Sequence, residues 1–292
     1  MQANFVLTID LQTVDALAAW HGVRRESADP LFIFRKPMDR LEHFCAKHQI
    51  RPTLFTAAED LVGPAEERLS QASASGYEIA SYGYSHNYLL DQEQPGAILN
   101  QLRHAQEKFA QKLGLIPMGF RAPARIINEA LLAELKSMQF AYDASSLPCM
   151  KTSWLNTARL VAYRLSAKPA LCRPGHFANK EPLLNGKLVS LPPSTALGLA
   201  ASCQNLFGFY PLYDNLLLSG LKKQETLIFN MSIFDFVDVQ EDRPPPFLSR
   251  YWPSLHMDYT RRQEVMDCWL ETLKAERENL SAATLAQTLS QN

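Results

Sequence analysis

The sequence is poor in net charge: 29 Lys and Arg against 30 Asp and Glu leave −1 over 292 residues, with the seven histidines neutral. Without a one-signed field, neither nucleic acid nor an anionic membrane surface is an expected partner. Cysteine is sparse and scattered. The five, Cys45, Cys149, Cys172, Cys203 and Cys268, are odd in number and form no C-x-x-C pair. That excludes a disulfide framework or a zinc knuckle and points to reduced thiols. The first ten residues lack a basic stretch followed by an apolar core, so no cleaved secretory signal is expected and the chain reads as cytosolic. One long uncharged run, Leu188 to Tyr213, is broken by Pro192, Pro193 and Pro211 and by polar residues such as Ser190, Ser194 and Asn205. Lipid would leave those polar groups unsatisfied, so a buried strand followed by a covered loop is expected there instead of a membrane span. There is no tandem repeat, low-complexity segment or Gly/Ser linker. No G-x-G-x-x-G loop follows the first strand, where a dinucleotide-binding sheet would carry one.

What the chain does have is apolar mass, 47% hydrophobic against 20% charged, enough for a large core. Short β-type runs alternate with amphipathic runs. Strands are expected at Asn4–Ile9, Pro52–Thr56, Tyr77–Ser81, Met118–Arg121, Phe140–Asp143, Lys187–Leu191 and Thr226–Met231. Helices are expected at Pro37–His48, Pro64–Ser73, Ala97–Leu113, from an Asn128 cap to Met138, at Asn215–Leu221 and at Arg261–Arg277. The stretch from Pro148 to Gly186 has no clean period. About seven strand and helix pairs with no composition break predict one α/β domain over residues 1–292. The expected architecture is a closed or nearly closed parallel barrel, with a doubly wound open sheet as runner-up. No heptad or charge pattern indicates an oligomeric state.

In a parallel barrel, chemistry gathers at the C-terminal ends of strands, so polar residues that end apolar runs are the candidates. These are Asp10, Tyr82 to His86, Arg121, Asp143 and Asn230. Each alone has an ordinary alternative: a helix cap, a solvated loop pair or a surface ion pair. Aromatics in irregular segments, among them Tyr84, Tyr88, Trp154, Tyr251 and Trp252, could stack on a sugar face or simply anchor loops.

Five segments taken in order resemble the NodB-homology polysaccharide deacetylases, carbohydrate esterase family 4. Thr8-Ile9-Asp10-Leu11 is similar to T-F-D-D, and Tyr82-Gly83-Tyr84-Ser85-His86 to H-T-x-S-H. Gly119-Phe120-Arg121-Ala122-Pro123 resembles the R-x-P motif, and Tyr142-Asp143-Ala144-Ser145-Ser146 a Y-D-S-S strand end. Phe229-Asn230 stands where the family often has a histidine. The resemblance covers nearly the whole chain. It implies a distorted (β/α) barrel of about seven parallel strands and hydrolysis of an N-acyl group, with zinc or another divalent metal held by one Asp and two His. A metal so held polarises the amide carbonyl and lowers the pKa of its bound water.

By that resemblance Asp10 is the catalytic base, with Arg121 and His86 as further catalytic groups and Tyr82, Pro123 and Asn230 at the substrate. The chain departs from the family at the metal. Leu11 replaces one ligand, Tyr82 another, and only His86 remains; His176, His256 or Cys172 would have to complete a cage. Three readings follow. A metal-independent amide hydrolase would use Asp10 to activate water, with Arg121 holding it ionised and Tyr82 or protonated His86 stabilising the oxyanion. A conventional deacetylase would use an unusual ligand set. A non-catalytic descendant would bind a carbohydrate or a partner. The expected ligand is a sugar or another small molecule.

Overall fold

The structure, a computed structural model, describes residues 3–23, 29–123, 125–146, 183–197, 199–211 and 214–291. Expectations for Cys149, Trp154, Cys172 and His176 fall outside those residues. The central strand β1 (Ala3–Asp10) pairs in parallel with β2 (Thr53–Thr56), which pairs with β3 (Glu78–Ser81), then β4 (Gly119–Phe120) and β5 (Tyr142–Asp143). The sheet continues through a hairpin, β6 (Leu183–Asn185) and β7 (Leu188–Ser190), of which β7 runs parallel to β5 and β6 antiparallel to β7. On its other side β1 pairs in parallel with β10 (Thr226–Ser232), in a register that sets Thr8 opposite Asn230 and Asp10 opposite Ser232. Seven parallel strands thus curl into a half-barrel. Its two edges meet beyond β7, where the Ser194 N–H donates to the Ile228 carbonyl at 3.0 Å and the Ile228 N–H to Ser194 Oγ at 2.9 Å.

Between the strands lie the expected helices. They are α2 (Lys36–Lys47), α3 (Pro64–Ala74), α4 (Pro95–Leu113), α5 (Glu129–Ser137), α7 (Asp214–Leu221) and α8 (Tyr259–Lys274). Asn128 caps α5, accepting the Leu131 N–H at 2.8 Å. Several elements were not expected. Helix α1 (Val14–His21) starts on a Thr13 cap and stops at Gly22 in the left-handed conformation. Strand β11 (Arg277–Asn279) pairs with the outer part of β1, and α9 (Ala282–Gln291) follows it. The covered loop expected after β7 is instead a small hairpin, β8 (Thr195–Ala196) and β9 (Leu199–Ala200), followed by α6 (Cys203–Phe209). Ser202 explains the latter: its side chain accepts the Asn205 N–H and caps a helix that the uncharged composition hid. Among the described residues, no helix is long and apolar enough to cross a membrane.

Side-chain alternation along β1 divides the core in two. Phe5, Leu7, Ile9 and Leu11 pack outward against Leu41, Phe44, Trp269 and other helix residues. Val6 points inward with Phe55, Tyr82, Tyr142, Val189 and Ile228, and Ala282, Leu285 and Ala286 of α9 plug the lower end. The same alternation turns Thr8 and Asp10 into the barrel at its upper end.

Candidate active site

Asp10 is the last residue of β1 and accepts hydrogen bonds from three side chains. The Arg121 guanidinium donates to Oδ1, the Arg125 Nη2 to Oδ2 at 2.9 Å and the Asn230 Nδ2 to Oδ2 at 3.1 Å, and the Tyr82 side chain lies beside the same carboxylate. A carboxylate offers roughly four lone-pair sites, so these donors use nearly all of its accepting capacity. Burial pushes the Asp10 carboxyl up, but Arg121, Arg125 and the hydrogen bonds outweigh it and hold the group well below the usual carboxylate range.

Arg121 lies directly after β4 and is 0% exposed. Its Nη1 also donates to Asn230 Oδ1 at 2.8 Å, its Nη2 to Thr8 Oγ1 at 3.1 Å and its Nε to the Ala144 carbonyl at 3.1 Å. The guanidinium carbon lies 3.8 Å from the centroid of the Phe55 ring. Burial, then Arg125, draws Arg121 below its ordinary value, and Asp10 opposes them. Asn230 is engaged at both ends, since its Oδ1 also accepts the Thr8 hydroxyl at 2.8 Å. Under this layer Asp143 accepts from the Ser145 N–H at 3.1 Å and from the Ser145 hydroxyl, and burial pushes its carboxyl up to about 6. Tyr82 is raised well above its ordinary value, first by burial and then by Asp10, so it stays a donor.

Above this network opens a cavity of about 460 Å³. Asp10, Tyr82, His86 and Pro123, four of the residues singled out from the sequence, line it; Arg121 and Asn230 lie beneath in the network. Much of the remaining wall comes from residues the sequence reading passed over. Gln12, Leu17, Trp20 and His21 belong to the β1–α1 turn and to α1, Arg125 to the turn after Pro123, and Gln204 to α6. Tyr88, Tyr251 and Trp252, aromatics noted for their irregular segments, are also there. Trp20 meets Tyr88 with ring centroids 4.4 Å apart, and His21 stacks on Tyr251 at 3.6 Å. Arg125 and Asp60 carried a usable signal: each follows a strand end within a few residues, the zone where barrel chemistry concentrates.

His86 faces two ways. The residue lines the cavity with its side chain only 5% exposed, and its Nε2 lies 2.7 Å from Oδ2 of Asp60, on the short turn Ala58–Asp60 after β2. Its backbone N–H donates to Glu59 Oε1 at 3.1 Å. Donor atoms of Glu59, Asp60 and His86 lie within 4.8 Å of one another, the one such group of potential metal ligands among the described residues. Leu11 is 0% exposed and packs in the outer core, turned away from the cavity. His256 ends the short turn Pro253–His256 and is exposed. Cys45 and Cys203 are buried free thiols and Cys268 an exposed one.

Residues 36–142 match the family model described as polysaccharide deacetylase. No curated protein matches the chain. Among solved structures it is similar to a protein named as a polysaccharide deacetylase from Mycobacterium smegmatis, at 14% identity and a TM-score of 0.61, over 99% of this chain and 91% of that one. It is also similar to the PuuE allantoinase, at 12% identity and a TM-score of 0.60, over 97% and 89%. A third likeness is to a family 4 carbohydrate esterase pseudoenzyme from Bacillus anthracis, at 10% identity and a TM-score of 0.50, over 98% and 66%. At such identities the shared property is the fold. The distorted parallel barrel and the deacetylase resemblance expected from five short segments are both borne out.

Proposed function

We propose, from the premise that this chain carries the polysaccharide deacetylase match over residues 36–142 and the fold of those proteins, that it hydrolyses a non-peptide C–N amide bond without a divalent metal. The substrate is an N-acylated amino sugar or a related small molecule, held in the aromatic-walled cavity. The single observation that carries this reading is the His86–Asp60 pair at the cavity wall. The metal of the family resemblance does not fit these residues. At the site it would need, Leu11 faces the outer core, Tyr82 offers a neutral phenol where the family has an imidazole, and the Arg125 guanidinium stands 2.9 Å from the carboxylate as its counter-cation.

With Asp10 surrounded by donors and held strongly acidic, proton abstraction falls to His86. In the neutral imidazole, Nε2–H donates to Asp60 and Nδ1 takes up the proton, a tautomer assigned from the hydrogen bond. His86 removes a proton from water as the oxygen attacks the acyl carbon. The same proton then passes to the amine nitrogen as the C–N bond breaks, leaving a carboxylic acid and a free amine. Asp60 is a positioning residue that orients the ring. Two guanidinium groups on one carboxylate leave a net positive field over the cavity, which favours the oxyanion as it forms.

A second reading, a binding protein without turnover, is favoured by one observation: the donors on Asp10 fix it as the centre of a structural network. The test is acid release from N-acetylated and N-formylated amino sugars and cyclic ureides, with chelator present throughout. Wild-type turnover is expected, with a loss of about 10² to 10⁴-fold in His86→Ala. Asp60→Asn should lower kcat with little change in KM and displace the pH–rate profile. Binding without turnover would select the second reading. Turnover that chelator abolishes and zinc restores would move the chemistry to a metal on Glu59, Asp60 and His86.

A further inference from the structure

Arg125 is the unusual member of the network. Its backbone is in the left-handed region at φ 53°, a conformation that disfavours any residue with a Cβ, and its N–H donates to the Ala122 carbonyl at 2.8 Å to close the turn. That turn carries the side chain to the cavity wall, where only 13% of it remains exposed. One arm of the guanidinium, Nη2, is committed to Asp10. The other, Nη1, is buried and has no hydrogen-bond partner. A buried charged donor left unmade is costly, and native structures hold few of them without a reason.

The charge balance points the same way. Asp10 is the one acid among the described residues that line the cavity, and it faces two guanidinium groups, Arg121 from below and Arg125 from the wall. The remaining described lining, including Gln12, Leu17, Tyr88, Gln204 and Trp252, is uncharged apart from two imidazoles, so nothing else among the described lining balances the second cation. The low dielectric of such a wall strengthens a charge-assisted contact with the free arm.

We infer that the ligand of this cavity carries an anionic oxygen group, a carboxylate or a phosphate, bound in the ground state by the Arg125 guanidinium. This deepens the proposed function by naming a substrate class, an acidic N-acylated amine, and rests on that reading for the identity of the pocket alone. Anion recognition holds whether or not the bound molecule is turned over.

The experiment is titration calorimetry on the full chain with three probes that share one scaffold: N-acetylglucosamine, its 6-phosphate and its 3-O-lactyl acid. Inorganic phosphate serves as a fourth probe. Wild type should bind at least one of the two acidic sugars about tenfold or more tightly than the neutral one, with a preference that shrinks as salt rises. Which acid is favoured identifies carboxylate or phosphate as the source of the charge. Arg125→Gln and Arg125→Asn should erase the preference, lowering the acidic sugar's affinity about tenfold more than the neutral sugar's; asparagine tolerates the left-handed backbone, so it guards against loss of the turn. Equal affinity of wild type for neutral and acidic probes would overturn the inference without any variant being made. So would a preference that survives in both variants. Should Arg125 act on the oxyanion alone, the variants would lower kcat equally for charged and neutral probes with unchanged affinities, which also contradicts ground-state recognition. Failure of the hydrolysis assay, in contrast, would leave these affinities untouched and count only against turnover.

Discussion

Replacing Arg121 with methionine tests whether the buried network holds the upper barrel together. The methionine keeps an unbranched apolar stem over Phe55 but removes every donor. Lost at once are the pair with Asp10 and the hydrogen bonds to Asn230 Oδ1, Thr8 Oγ1 and the Ala144 carbonyl. Stripping one partner from a buried ion pair costs about 3–5 kcal/mol. Here the lower end applies, because Asp10 keeps Arg125 and Asn230 and its side chain is 17% exposed. About 3 kcal/mol is expected, read as a lower urea midpoint at an unchanged slope. Asp10→Asn alone leaves two guanidinium groups facing a neutral amide and should cost a similar amount. The double variant removes both charges and should recover about 2 kcal/mol relative to the sum of the singles. Arg121→Met within about 0.5 kcal/mol of wild type, or a strictly additive cycle, would refute the reasoning, because the network would then contribute no coupling.

Two further perturbations follow from the same region. Burial raises Asp143 from 3.8 to about 6, so between those values the folded state binds its proton more tightly than the unfolded state. Its contribution therefore falls as pH rises from about 4 to 6, on the order of 2–3 kcal/mol, and Asp143→Asn should flatten that slope in pH-dependent denaturation. Asp10 has the opposite sign, its stabilisation being present above the ordinary carboxylate range and lost as pH falls below it. An unchanged slope in Asp143→Asn would contradict the buried acid. Gly119→Ala would place a Cβ 1.9 Å from Cζ of Tyr142, a ring that is 0% exposed and whose hydroxyl donates to Glu78 at 2.7 Å. It should cost at least about 3 kcal/mol in denaturant, the upper end for overpacking, and wild-type stability would mean that the β4–β5 packing is wrong.

The strands and most helices were legible because period 2 and period 3.6 are written directly in the apolar residues, as in Ile98, Leu102, Ala105 and Phe109 of α4. The upper rim was legible for a related reason: a polar residue at the end of an apolar run has few places to go except the barrel mouth. Helix α1 is hard to read although Thr13 and Gly22 mark its ends, because at eight residues it is short and only Gln12 and Thr13 separate it from the apolar Leu11 that follows the first strand. Helix α6 was hidden because its apolar composition reads as strand or loop until Ser202 is seen as a cap. The cavity walls were least legible. Asp60 sits beyond Ala57 and Ala58, and Arg125 beyond Pro123, so neither ends an apolar run. Their importance arises from what lies opposite them in space, His86 for one and Asp10 for the other. The turn of Leu11 into the outer core follows from alternation along β1 and could have been read from Asp10 alone.

On the proposed reading, guanidinium groups take the place of a divalent ion as the partners of Asp10 at the barrel mouth. Elemental analysis of the purified full chain, after equilibration with zinc, cobalt or nickel and dialysis, addresses it directly. No stoichiometric metal is expected, in wild type and in His86→Ala alike. One equivalent of zinc retained by wild type and lost in Asp10→Asn would contradict it.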